Sequence, residues 1–317
     1  MIINIIKIAG AAILSILLAE ILHLDFAMQA GIVAILSIQP TKKSTITTAI
    51  HRTISFIAAL GIAALTFHTM GFTTQAFLAF LFFYISICVF YHWESSITVN
   101  AVIISHFLTF GNMNWPAMKN EIAIFIIGIL AGILANIHLK KDVDYIEELK
   151  TKADNQMIKI LHQMADHILT EDKSDYGYQN FQKLNRVIHH AEHIADQNYE
   201  NQLRTNDTYD QQYISMRKNQ QVSLQEMYKL ARQLETTPST AKMISNFLIT
   251  VANEFDQDNP AHDLLEQFNQ LNQKMSQTPL PKNRKEFEDR ALLFALMQKM
   301  EEFLQIKANF MKNHINK

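Results

Sequence analysis

Apolar residues come in long uninterrupted runs over the first part of the chain and in helical stripes over the rest. The runs cover about 2–22, 25–39, 53–69, 72–91, 96–110 and 120–139. Most approach the ~20 residues that an α-helix needs to cross a hydrocarbon layer of ~30 Å. In such a layer the backbone must satisfy its own hydrogen bonds, so helices are expected, and the two-residue alternation of a membrane barrel is absent. From residue 142 onward the pattern turns amphipathic. Ile146, Leu149, Ala153, Met157, Ile160, Met164 and Ile168 make one stripe, read as continuous with the sixth run, and Phe181, Leu184, Ile188, Ala191 and Ile194 make another. Further helices are expected at about 209–236, 239–256, 261–276 and 283–314, punctuated by Asn259-Pro260 and Pro279–Pro281 and opened at Pro238-Ser239. Each apolar stripe has to be buried against another, which a helical bundle does. The prediction is an all-α polytopic membrane protein, with six transmembrane helices in a domain over 1–141 and a cytoplasmic helical bundle over 142–317.

Composition supports that boundary only once the chain is split. Overall, the net charge is -2 and the mean hydropathy is zero, values that suit a soluble protein. The first 139 residues, however, carry as strong charges only Lys7, Lys42, Lys43, Arg52, Lys119, Glu20, Asp25, Glu94 and Glu121. Gly177 alone of the eight glycines lies beyond them. Glycine lets membrane helices approach closely and is costly in exposed ones. The single cysteine, Cys88, sits inside an apolar run, so an intrachain disulfide is excluded. The first run is too long, and too weakly basic at its start, for a cleaved secretory signal, and is read as a retained span.

Charge also orients the spans. With the N-terminus inside, Lys7, Lys42, Lys43, Arg52, Lys140 and Lys141 fall on the cytoplasmic side and Lys119 alone on the other. An even number of spans then leaves both termini in the cytoplasm and the protein in the cell membrane, in contact with lipid. Trp93 and Trp115 fall in loops on opposite sides, where interfacial tryptophans are expected.

The second run is short and is followed by Pro40, which ends or kinks a helix. Thr41 can then cap a new helix whose first turn holds Lys42, Lys43 and Ser44. Thr41, Ser44, Thr45, Thr48 and Arg52 share one face of it, and Ile46, Ile50, Ile54 and Ile57 another. A helix N-terminus with nearby lysines attracts anions, and a proline-broken hydrophobic segment is a pointer to a transporter's binding site. Lys42, Lys43, Arg52, Thr45, Thr48 and Asn100 are therefore the substrate-binding candidates, for a small organic anion. The plainer reading is a loop whose lysines fix topology and meet lipid phosphates.

The fifth run is the most polar, with Ser95, Ser96, Thr98, Ser105 and Thr109 besides Asn100 and His106. His106 is a proton-coupling candidate, and Glu94 a second. Their plainer readings are a neutral histidine bonded to a neighbouring helix and a carboxylate complementing a helix dipole. Glu20 reaches the headgroups. In the second part His189, His190 and His193 form HHAEH, read as a solvated helix face for want of a third ligand. No glycine-rich phosphate loop, nucleophile motif or dense basic stripe occurs, so the expectation is a protein that is not an enzyme, holds no cofactor or metal and binds no nucleic acid.

The stretch FAMQAGIVAILSIQPTKKSTITTAIHR, Phe26 to Arg52, resembles the aromatic acid exporter family of bacterial membrane proteins, in which a short apolar helix leads into a basic, hydroxyl-rich segment ending in arginine. WESSITVNAVIISHFLTFG, Trp93 to Gly111, looks like the family's later helices, and the layout of six spans and a helical tail is similar to the family's membrane unit and C-terminal domain. The resemblance implies efflux of aromatic carboxylates. Larger relatives carry two such membrane units, which implies a homodimer or higher oligomer for a chain with one. Two functions follow: a secondary exporter of small aromatic or organic carboxylates driven by a proton gradient or membrane potential, or a non-transporting membrane assembly or regulatory protein that works through its cytoplasmic helical domain.

Overall fold

The computed structural model describes residues 2–137, 142–170, 178–203 and 205–315, and among them every regular element is helical. The chain divides into two units, Met1–Lys141 with Glu200–Thr205, and Asp142–Tyr199 with Asn206–Lys317. Lys140 and Lys141, which entered the orientation argument, lie outside the described residues, as does the join between the sixth run and the stripe that begins at Ile146.

In the first unit α1 (Ile2–Ile21), α2 (Met28–Ser37), α3 (Lys42–Met70), α4 (Thr74–Phe90), α5 (Ile97–Phe110) and α6 (Trp115–Ile137) follow the six apolar runs, with a single 3₁₀ turn, Glu94–Ser96, leading into α5. Among the described residues, α3 and α6 are long and apolar enough to cross a bilayer, and α2 and α4 are shorter apolar helices. The expected second span of 15 residues is a helix of 10. The link before it takes the difference, with His23 and Phe26 at positive φ, and neither residue can continue a right-handed helix there. Conversely α3 starts at Lys42 and α6 at Trp115, several residues before the apolar runs do, because capping rather than hydropathy sets those ends. The Thr41 side chain accepts from Ser44 N while the Ser44 side chain returns to Thr41 N, a reciprocal capping box.

Small residues let α6 lie close against α2. A Cβ added at Gly128 would stand 2.5 Å from Val33 Cβ, and one at Gly132 2.6 Å from Ser37 Cβ. On the outside Ile50, Ile54 and Ile57 of α3, Phe82, Phe83 and Phe90 of α4, and Ile13, Leu14, Leu17 and Leu18 of α1 are exposed.

The second unit contains α7 (Val143–Leu169), α8 (Gln179–Glu200, of which Glu200 groups with the first unit), α9 (Tyr209–Arg232), α10 (Ser239–Asn253), α11 (His262–Ser276) and α12 (Arg284–Ile315). All seven residues of the first predicted stripe are buried, and so is the second stripe as far as Ala191; Ala195 takes the last core position in place of Ile194, which is half-buried. Charge enters this core in paired form. Arg217 donates through Nη2 to Asp154 Oδ2 at 2.9 Å, and Tyr213 Oη donates to the same oxygen at 2.7 Å. Lys150 Nζ lies 2.6 Å from both Glu147 and Asp210. Lys307, 4% exposed, donates to the Gln257 carbonyl and lies over the rings of Tyr213 and Phe310.

Candidate functional site

The candidates picked from sequence separate into distinct clusters. Lys42 and Lys43 open α3, and Arg52 follows ten residues after Lys42, about 15 Å along the axis at 1.5 Å per residue. One carboxylate cannot bridge that span. The α3 N-terminus is moreover closed by groups of the same unit. Thr41 Oγ1 donates to Glu200 Oε2 at 2.8 Å, and Lys42 N donates to Asn201 Oδ1 at 3.0 Å. Sequence proximity could not show this, because 159 residues separate the partners. Thr48 is half-buried, one turn from the nearest member of either cluster.

Thr45 belongs to a joint that holds the break after α2. Its Oγ1 accepts from Asn136 Nδ2 at 2.6 Å and from Gln39 N at 3.3 Å, and donates to the Thr41 carbonyl at 2.8 Å. Asn136 also donates to the Gln39 carbonyl at 2.6 Å and accepts from Lys7 Nζ at 2.8 Å. The backbone that Pro40 keeps out of a helix is thus paired with side chains of α6 and α3, as buried backbone requires.

Arg52 and Asn100 do come together. Arg52 is 3% exposed. Its Nη1 donates to Ser37 Oγ at 2.9 Å and its Nη2 to the Ser95 carbonyl at 3.1 Å. Asn100 Nδ2 lies 2.8 Å from both Ser55 Oγ and Tyr84 Oη and 3.4 Å from the Arg52 carbonyl. Three buried polar atoms here have no partner: Arg52 Nε, Ser96 Oγ and Asn100 Oδ1. No ion pair involves Arg52 among the described residues, although a buried guanidinium is costly without a counter-charge. The free Nε–H is one edge of the fork that grips a carboxylate. Tyr84, Ser37 and Ser55 are members that sequence reasoning missed, and Ser96 was read there only as part of the polar fifth run.

The two proton-coupling candidates lie far apart, twelve residues or roughly 18 Å along the chain's helical path. Glu94 is exposed in the 3₁₀ turn, 3.7 Å from His92. His106 pairs instead with Glu121 of α6, Nδ1 to Oε2 at 2.7 Å, and its ring stacks on Phe26 with centroids 4.1 Å apart. A signal for Glu121 did exist: Glu121, Gly128, Gly132 and Asn136 recur at offsets 0, 7, 11 and 15, one helical face of α6, and all four are buried.

In the second unit His189 and His193 are exposed, and the nearest partners are Glu192 at 3.7 Å and Gln197 at 3.0 Å, respectively. His190 Nε2 lies 2.7 Å from Tyr145 Oη.

Comparison with known proteins then decides the family. Residues 1–139 match the family described as "Aromatic acid exporter family member 1", and residues 144–308 match its "Putative aromatic acid exporter C-terminal domain". The chain belongs to the aromatic acid exporter family. Among relatives of this exporter-family chain is "Uncharacterized protein YqjA" of Bacillus subtilis (strain 168), 26% identical over 305 residues that cover 96% of this chain and 94% of that protein. A solved structure, titled "Crystal structure of putative membrane protein from Clostridium difficile 630", is 26% identical and covers 53% of this chain and 99% of its own, with a TM-score of 0.47.

Proposed function

We propose that this exporter-family chain is a secondary exporter of small aromatic or other organic carboxylates. In this reading α1–α6 form the membrane unit, both termini face the cytoplasm, and a proton gradient or the membrane potential drives transport. The observation that carries the reading is Arg52, a cation buried inside the first unit with a free Nε–H and no carboxylate partner among the described residues. Intramembrane charges mark substrate or ion pathways, and a guanidinium recognises a carboxylate by direction as well as charge. The exposed apolar faces of α1, α3 and α4 fit a hydrocarbon solvent. Ser96 Oγ and Asn100 Oδ1 extend the Arg52 site by a hydroxyl and an acceptor. The ligand class they favour is a carboxylate that also carries a hydrogen-bond donor.

The test is flux of a panel of radiolabelled aromatic carboxylates in liposomes holding the purified protein, with and without an imposed proton gradient. Gradient-dependent flux is expected in the wild type, lost in Arg52→Ala and largely lost in Arg52→Lys, which keeps charge without the fork. Flux indifferent to Arg52→Ala removes the site. Absence of flux from folded, inserted protein transfers the function to the non-transporting alternative, acting through the second unit.

A further inference from the structure

Glu121 is 0% exposed, and its pairing with His106 lies toward the end of the first unit where α5 finishes and α6 begins. The other carboxylate oxygen, Oε1, accepts from Asn120 Nδ2 at 3.0 Å. Asn120 in turn grips the backbone of the α1–α2 link: Asp25 N donates to its Oδ1 at 2.8 Å, and its Nδ2 lies 3.1 Å from the Asp25 carbonyl. Asp25 and Asn120 both line an open cavity of about 600 Å³, in which Asn112, Asn114 and Lys119 are set among apolar residues such as Leu24 and Phe110. Asn120 therefore bonds the buried carboxylate and also lines the cavity. The ring of Phe26 stacks on His106 from a backbone at φ +59°, a conformation that a bulky residue rarely adopts.

The geometry points to His106 and Glu121 as a proton-binding site, loaded from this cavity past Asn120. With one proton between Nδ1 and Oε2 the pair is neutral overall, and burial is tolerable. Without that proton the buried Glu121 carboxylate faces an uncharged ring and keeps the Asn120 amide as a donor. Because Asn120 is tied to the α1–α2 link, movement of that link would open the pair further to the cavity. The other titratable groups at this end are Glu20 and His23 at the close of α1, Asp25 in the link, Lys119 on α6 and His68 near the end of α3; among the described residues none forms an ion pair with either member. Coupling of the proton to carboxylate export rests on the exporter reading. The proton site itself does not.

Infrared difference spectra of the purified full-length protein in D₂O, across a pH titration, read the site directly. A carboxylic-acid carbonyl band that follows pH is expected in the wild type and in Glu20→Gln. With 30 Asp and Glu side chains in the protein, the Glu121 component is the part of that band that is missing from Glu121→Gln, and its midpoint should shift in His106→Gln. Spectra of Glu121→Gln that match the wild type overturn the assignment; if that variant fails to fold, an unshifted midpoint in His106→Gln does so. In liposomes, Glu121→Gln should lose proton-driven accumulation of labelled benzoate and keep benzoate exchange. Proton-driven accumulation intact in Glu121→Gln ends the coupling of this site to export and leaves the exporter reading standing. A Glu121-dependent band without benzoate flux in the wild type keeps the proton site and counts against the exporter.

Discussion

Lys307 shows what a buried charge costs when its partners are carbonyls and rings. Burial lowers its ammonium well below the usual lysine value, to about 8, and neighbouring Arg217 adds to the effect. Between pH about 8 and about 10.4 the unfolded chain then holds more protons than the folded one, so stability rises with pH across that window. Below it the whole cost applies, on the order of 3 kcal/mol for a shift of this size. Lys307→Met should raise the unfolding temperature of the full-length protein at pH 7 and flatten the rise toward pH 10, as calorimetry in detergent would record. The gain will fall short of the full figure, because contacts with the Tyr213 and Phe310 rings are given up. Single residues were unevenly legible in the sequence. Arg52 stood out because it shares a hydroxyl-rich helical face with Thr41, Ser44, Thr45 and Thr48 behind the Pro40 break. Glu121 did not, since its partner His106 lies across a helix pair, and Glu94 sat nearer in the sequence. Spacing along one helix says nothing about which neighbour closes a pair.

At the scale of the element, runs of apolar residues predicted that six helices exist, and capping decided where they end. Thr41 and Pro40 placed the start of α3 correctly because both act through local backbone chemistry. The ten-residue length of α2 was not legible, because Leu24, Phe26 and Ala27 are apolar residues in a link, and hydropathy cannot tell a link from a turn of helix. The closeness of α2 to α6 is the property of this pair most open to test. Gly132→Val would drive a branched side chain into Ser37, and Gly128→Leu would drive one into Val33 and the Ala30 carbonyl. Overpacking of this kind costs about 1–3 kcal/mol. Each variant should lower the detergent melting temperature, whereas Gly61→Ala, with nothing within 4 Å of the added carbon, should leave it unchanged.

For the whole molecule, the division near residue 141 followed from composition, and the packing inside each unit followed from stripes that only a three-dimensional partner could complete. The orientation proposed for the first unit is directly measurable, since Cys88 is the only cysteine and is buried. In a Cys88→Ala background a membrane-impermeant maleimide added to intact cells should label Asn112→Cys and should not label Lys43→Cys. The reverse pattern would invert the topology. The shortest helix carries a consequence for the surroundings of the protein. Ten residues rise only about 15 Å, half of a ~30 Å hydrocarbon layer, yet Met28, Ile32 and Ile35 leave a face of α2 exposed. In the membrane arrangement proposed above, lipids beside α2 would have to thin locally to cover that face. On that proposed arrangement a thicker bilayer would press on the Pro40 break, with Arg52 one helix further in.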